Sequence, residues 1–193
     1  MKVKFRQIAI FDTQTVYSFL KKKPSELPDF CSNWVINALE KGVDAFVLRD
    51  SLRDETFFQT SLSTIVYTKP QDLAIMCNHS AQTLFAGTHG VHYKRENSRM
   101  ISLSEGYAGI SAHSTDGCKN AERNGFDYVF ISPVFPTKSH PGEASLGLEK
   151  LSKICASVNI PVFALGGITE KTIPACLAAG AHGTASISLY MLD

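Results

Sequence analysis

Polar residues of kinds that do chemistry recur directly after short apolar runs: Arg49, Asn78, His92, Ser111 with His113, Ser132 and Ser188. Arginine binds anions, histidine moves protons near neutral pH, and hydroxyls and amides donate or accept hydrogen bonds. Each residue alone also has a plain reading, since Asn78 can simply end a strand and Arg49 can form a surface ion pair. Gly166-Gly167 is more specific. With Thr169 as a cap, the pair stands at the start of a predicted helix. Glycine there admits close approach of a ligand, and outward-pointing amides suit a phosphate. Ile187 and Ser188, after the next apolar run, close the other side of such a cup. The alternative is a turn of two glycines followed by a capping threonine.

The segment from Ser132 to Gly142 carries three prolines, hydroxyls, Lys138 and His140. It reads either as a lid that brings Thr137 and Lys138 onto an anionic ligand or as an ordinary solvated loop. The five cysteines are scattered, with no CxxC spacing, which predicts reduced and mostly buried thiols rather than a disulfide frame or zinc site. HExxH, Walker A and GxGxxG motifs are absent, and no histidine pair has metal-ligand spacing.

Apolar runs rich in Val, Ile and Phe must position these residues. Strands are predicted at Phe5–Phe11, Ala45–Leu48, Leu73–Cys77, Gly90–His92, Ala108–Ala112, Asp127–Ile131, Pro161–Leu165 and Thr184–Ile187. Helices are predicted between them: one opened by Asp29, with Phe30, Trp34, Ile36, Ala38 and Leu39 as its apolar positions and Gly42 as its stop, then 53–65, 115–124, 147–157 and 169–179. Such alternation predicts an α/β chain with parallel strands in one domain spanning residues 1–193. Eight strands suggest a closed (βα)8 TIM-type barrel, whose active site gathers at the strand C-termini. The barrel is short, because six residues after Ile187 leave the last helix truncated or missing. An open doubly wound sheet is the alternative.

The 193-residue, 21.1 kDa chain is 44% hydrophobic and 19% charged, which excludes wholesale disorder. Nineteen basic and eighteen acidic residues give a net charge of +1, which offers no general case for nucleic acid or an anionic membrane. No stretch is apolar enough to span a bilayer, and the start lacks an export signal, so a cytoplasmic protein is expected.

DYVFISPVFPTKSHPG at 127–142, GLEKL at 147–151 and IPVFALGGITEKTIPACLAAGAHGTASIS at 160–188 together resemble the thiamine phosphate synthase and thiazole tautomerase (TenI) family. The likeness continues more weakly upstream. VLRD at 47–50 stands at the family's Leu-Arg-Glu motif, CNHS at 77–80 at its Asn-Asp motif, and THGVHYKREN at 88–97 at its Gly-Val-His-Leu-Gly-Gln-Glu-Asp motif. The resemblance implies a barrel that binds a small-molecule thiazole phosphate, its phosphate on Gly166, Gly167, Ile187 and Ser188. In a synthase, Arg49, Asn78, Ser111, Thr137 and Lys138 would hold an aminopyrimidine diphosphate, with magnesium assisting departure of pyrophosphate.

Departures from the family pattern fall on the charged positions. Ser51 stands where synthases carry lysine, and His79 and Asn97 stand at the magnesium aspartates, with Glu96 beside the latter. Hard magnesium prefers carboxylates. Tautomerases need no metal or other cofactor, only an acid–base group beside the ring. SAHS at 111–114 resembles their Ser-x-His-Ser, although Pro133 replaces their catalytic histidine after the sixth strand. The expected reading is therefore metal-free, tautomerase-like proton transfer by His113, or by His79, with His140 assisting. The first alternative is a magnesium-dependent synthase, and the second a non-catalytic phosphate-ligand binder. Self-association is left open by the sequence.

Overall fold

The structure, a computed structural model, describes residues 3–21, 23–81, 83–94, 106–137 and 144–192. Strand β1 (Gln7–Asp12) runs into helix α1 (Thr13–Phe19), and α2 (Leu27–Glu40) leads to β2 (Ala45–Arg49). Helix α3 (Glu55–Thr68) precedes β3 (Ala74–Asn78), which is followed by β4 (Gly90–Tyr93) and β5 (Tyr107–Ala112). Then come α4 (Thr115–Arg123), β6 (Tyr128–Ile131), α5 (Gly147–Cys155), β7 (Val162–Leu165), α6 (Ile173–Ala178) and β8 (Gly183–Ser186). The strands pair in chain order, all parallel, and β8 closes on β1. Closure removes the open-sheet alternative. After β8 the described chain makes only a 3-10 turn at Ser188–Tyr190, in place of a full helix.

Strand residues are buried on both faces, which is why they read as continuous apolar runs rather than alternating ones. One set fills the lumen: Ile8, Ile10, Val47, Met76, Tyr128, Phe130 and Phe163 pack with Phe5. Phe5 lies with its ring centroid 5.2 Å from Tyr107, 5.7 Å from Tyr128 and 5.6 Å from Phe163. These rings fill the N-terminal end of the barrel, so the opposite end is left for a ligand. The other face of each strand packs on the helices. On α2 the buried residues are Leu27, Phe30, Cys31, Trp34, Val35 and Ala38, a stripe at three- and four-residue spacing. Ile36 is 49% exposed, because two residues past Trp34 on a helix is the far side.

Side-chain caps set several helix starts. Asp12 accepts the Thr15 amide at 2.9 Å, Asp54 the Phe57 amide at 3.0 Å, and Ser114 the Gly117 amide at 3.1 Å. One helix is not predicted from the sequence, and one predicted boundary needs correction. Helix α1 was hidden by its polar composition. Helix α6 begins at Ile173, not Thr169, because Thr169–Thr172 form a turn: the Thr172 hydroxyl accepts the Thr169 amide at 2.9 Å. All five cysteines are unpaired and four are buried, with burial pushing the Cys31 and Cys77 thiols up to about 12. Among the described residues no helix is long and apolar enough to cross a membrane.

Candidate active site

Register across the first three strands puts Asp12 opposite Arg49 and Arg49 opposite Asn78, so three polar strand ends form one row. Asp12 is buried and organises its surroundings. One carboxylate oxygen caps α1, and the other accepts the Ser51 hydroxyl at 2.6 Å and lies 3.5 Å from Arg49 Nε. Ser51 Oγ also accepts the Gln14 amide at 3.2 Å. The hydroxyl at the synthase lysine position is therefore engaged within the fold. Asn78 donates from Nδ2 to the His92 carbonyl at 2.6 Å, while its Oδ1 is buried without a partner among the described residues.

Among the described residues, three adjoining cavities open at the strand C-termini. A cavity of about 180 Å³ is walled by Arg49, His113, Thr137, Gly166, Gly167, Ile187 and Ser188, with Thr15 and Met191. A second, of about 380 Å³, has apolar walls of Ile10, Val47 and Phe130 and polar groups from Asn78, His92, Lys94 and Ser111. The two share Arg49, His113, Ser132 and Leu165. A third, of about 470 Å³, is lined by Asp50, Arg53, Glu55, His79 and Lys94, and meets the second at Asn78 and His92.

All four predicted phosphate residues come together on the first cavity. The glycines serve it differently from the expectation. Both have positive φ, and a Cβ on Gly167 would lie 2.6 Å from the Pro136 carbonyl oxygen and 2.7 Å from Phe135 Cβ. A Cβ on Gly166 would lie 2.9 Å from Pro133. The pair is thus required by the chain after β6, which packs against it through bonds from the Val134 amide to Leu165 and the Phe135 amide to Gly166. Among the described residues, the amides of Gly167, Ile187 and Ser188 have no internal acceptor. They remain available to an anion, whereas the Thr169 amide is taken by Thr172.

His113 lines both of the first two cavities and contacts the Ser132 carbonyl through Nδ1 at 2.7 Å. A carbonyl only accepts, so Nδ1 carries the proton and the neutral ring keeps its Nε2 lone pair. His79 is elsewhere, on the third cavity, and the structure does not bring it to His113. Its Nδ1 accepts the Ala81 amide at 3.1 Å, which leaves the proton on Nε2. That nitrogen lies 3.5 Å from Asp50 and 3.3 Å from Glu55, while the ring stacks on Phe58.

His92 is the residue whose surroundings sequence reasoning missed. Its Nε2 is 2.9 Å from Ser111 Oγ and its Nδ1 3.1 Å from the Tyr128 hydroxyl. Burial, aided by the nearby Arg49 charge, lowers its pKa to about 3, so the ring is neutral. Nothing in the sequence marks Tyr128 as a partner, since it reads as one more apolar strand residue. Lys138, His140, Glu96 and Asn97 lie outside the described residues.

The family model for thiamine monophosphate synthase matches residues 21–189. The chain belongs to that family. A putative thiamine-phosphate synthase 2 of Aquifex aeolicus is 35% identical over 165 residues, covering 79% of this chain and 86% of that one. A thiamine-phosphate synthase of Coprothermobacter proteolyticus is 31% identical over 78% of this chain and 75% of its own. With the Caldivirga maquilingensis enzyme of the same name the match is 40% over 103 residues, about half of each chain. Among solved structures, thiamine phosphate pyrophosphorylase of Pyrococcus furiosus superposes with a TM-score of 0.71 at 25% identity, covering 95% of this chain and 85% of that one. The chain is thus a barrel of the thiamine-biosynthesis family.

Magnesium is implied by the synthases of this family, and the described residues do not fit it. At the first aspartate position the imidazole N–H of His79 stands between the Asp50 and Glu55 carboxylates. Among the described residues no group of three His, Cys, Asp or Glu side chains is arranged to hold a metal. Oxygen-rich octahedral coordination is not available from such a set.

Proposed function

We propose that this chain is a thiamine-phosphate synthase, joining a thiazole phosphate to an aminopyrimidine diphosphate. The observation that carries this reading is the pair of adjoining cavities, about 180 and 380 Å³, that share Arg49, His113, Ser132 and Leu165. A tautomerase has one small substrate, whereas a synthase must place two ring systems against each other. In this reading the thiazole phosphate takes the first cavity, its phosphate on the free amides of Gly167, Ile187 and Ser188. The aminopyrimidine lies in the second, against Phe130, with Asn78 and Ser111 at its edge. Its diphosphate points toward Arg49, Lys94 and the third cavity.

The thiazole nitrogen forms a bond to the pyrimidine methylene carbon as the carbon–oxygen bond to diphosphate breaks. Negative charge grows on the departing oxygen, and the guanidinium of Arg49 at the shared wall is placed to stabilise it. No step here is assigned to a metal. The relatives' names support the same reading, which replaces the tautomerase expectation as first choice.

One observation favours a second reading. Nδ1 of His113 is tied to Ser132, so a neutral ring carries its lone pair on Nε2, on a side chain that lines both cavities. A proton-transfer reaction on a thiazole carboxylate phosphate would use that nitrogen. The deciding experiment incubates the protein with thiazole phosphate and aminopyrimidine diphosphate, with magnesium and with chelator, and follows thiamine phosphate and pyrophosphate together. Equimolar formation of both is expected. Absence of product, with metal-free deuterium exchange into the thiazole carboxylate phosphate, establishes the tautomerase instead. Stabilisation by thiazole phosphate without either reaction establishes a binder.

A further inference from the structure

We infer that Tyr128 and His92 form a buried proton-setting chain that turns Ser111 into a hydrogen-bond donor toward the second cavity. Its ligand there is an uncharged acceptor atom, such as a ring nitrogen of the aminopyrimidine, so the inference rests on the proposed synthase reading.

The Tyr128 hydroxyl is fully buried, and its hydrogen-bond partner is His92 Nδ1 at 3.1 Å. A phenol proton buried without an acceptor is costly, so the satisfied arrangement has Tyr128 donating to Nδ1. Nδ1 is then unprotonated. A neutral imidazole carries one proton, which must sit on Nε2 and be donated to Ser111 Oγ, 2.9 Å away. The serine oxygen accepts from the ring, leaving its own proton free to point into the cavity that Ser111 lines. Neutrality of His92 is enforced from several sides: Phe130 lies 4.2 Å from its ring centroid to centroid, and the Arg49 cation disfavours a second charge.

The geometry around the tyrosine is built rather than incidental. A Cβ at Gly109 on β5 would overlap the Tyr128 ring and hydroxyl, so the glycine provides the notch in which the phenol meets His92. Tyr128 stands opposite Gly109 in the register, and His92 stands opposite Gly109 from the other side. Three adjacent strands thus deliver one relay, with its outer end at the ligand. His92 and Tyr128 are positioning residues, and Ser111 is the group that touches substrate.

The test is nitrogen-15 NMR of histidine-labelled protein, with His92 assigned by the signal lost in His92→Asn. The expected spectrum has a protonated Nε2 and an unprotonated Nδ1. In Tyr128→Phe the tautomer should switch to Nδ1–H, because Ser111 can then donate to Nε2. The KM for aminopyrimidine diphosphate should rise about tenfold, the worth of one lost hydrogen bond, while stabilisation by thiazole phosphate stays unchanged. In Ser111→Ala the tautomer should remain Nε2–H, since Tyr128 sets it, and the same KM should rise. A wild-type Nδ1–H tautomer overturns the inference, as does a tautomer change in Ser111→Ala or an unchanged KM in Tyr128→Phe. The tautomer is read without turnover, so failure of the synthase reading leaves the spectrum decisive.

Discussion

The two sides of the barrel mouth are built from different material. On the β7–β8 side, the proposed anion cup consists of backbone amides from Gly167, Ile187 and Ser188, held by glycine packing against the Pro133–Thr137 chain. On the β2–β4 side, Arg49, Asp50, Asn78 and His79 act through side chains, and most of those already have internal partners. A site made of backbone survives extensive change in sequence so long as its glycines persist. A site made of side chains changes its chemistry with single substitutions. Ser51 and His79 illustrate the second case: both stand at positions that bear charge in synthases, and both are tied into the fold.

Gly167→Ala attacks the backbone side and should have the largest effect at neutral pH. An L-residue at its φ of 65° is strained, by roughly 1–2 kcal/mol. The overlaps with Pro136 and Phe135 bring the total to about 3 kcal/mol, or roughly 6–12 °C in Tm for a chain of this size. Stabilisation by thiazole phosphate should vanish, because the chain after β6 must move. Retention of both Tm and the ligand shift would mean that the cup does not depend on this packing.

The backbone side was also the legible one. Gly166-Gly167 and Ile187-Ser188 could be placed from the sequence because glycine pairs and strand ends have local signatures. What the glycines contact could not be read, since Pro133, Phe135 and Pro136 come from another loop. The barrel itself was legible through eight apolar runs; Ile36 was misplaced by local periodicity, and the start of α6 by reading Thr169 as a cap where it opens a turn. On the side-chain side, Arg49, Asn78 and Ser111 were found as strand ends. The Asp12–Ser51 contact and the Tyr128–His92–Ser111 chain were hidden, because each joins strands distant in sequence through residues that read as core or loop.

A pH series sharpens the comparison at His92. Its folded pKa is depressed from 6.5 to about 3, so between those values the unfolded chain binds the proton and the folded chain does not. The stabilisation from keeping this ring neutral is complete above pH 6.5 and is lost as pH falls toward 3. Relative to His92→Gln, which cannot titrate, the wild type should lose about 1.4 kcal/mol per pH unit in that window. Other histidines with lowered values, His89 and His182, cancel in the difference. A difference that stays flat from pH 7 to 4 would show that the ring is not held neutral.

The smallest effect is expected at His79, and it tests whether the side-chain half has lost its metal or only relocated it. His79→Asp replaces an imidazole N–H that faces Asp50 and Glu55 with a third carboxylate. Asp50 is buried while the Glu55 side chain is 65% exposed, so solvent screens part of the repulsion. A loss of roughly 1 kcal/mol, or about 2–4 °C, is expected in chelator. Millimolar magnesium should restore that loss in the variant, because three oxygen donors then surround a site suited to a hard cation, and should leave the wild-type Tm unmoved. The opposite pattern, in which wild type gains from magnesium and the variant does not, would place the cation on groups other than Asp50 and Glu55. The side-chain half would then have kept its metal chemistry by moving it along the rim.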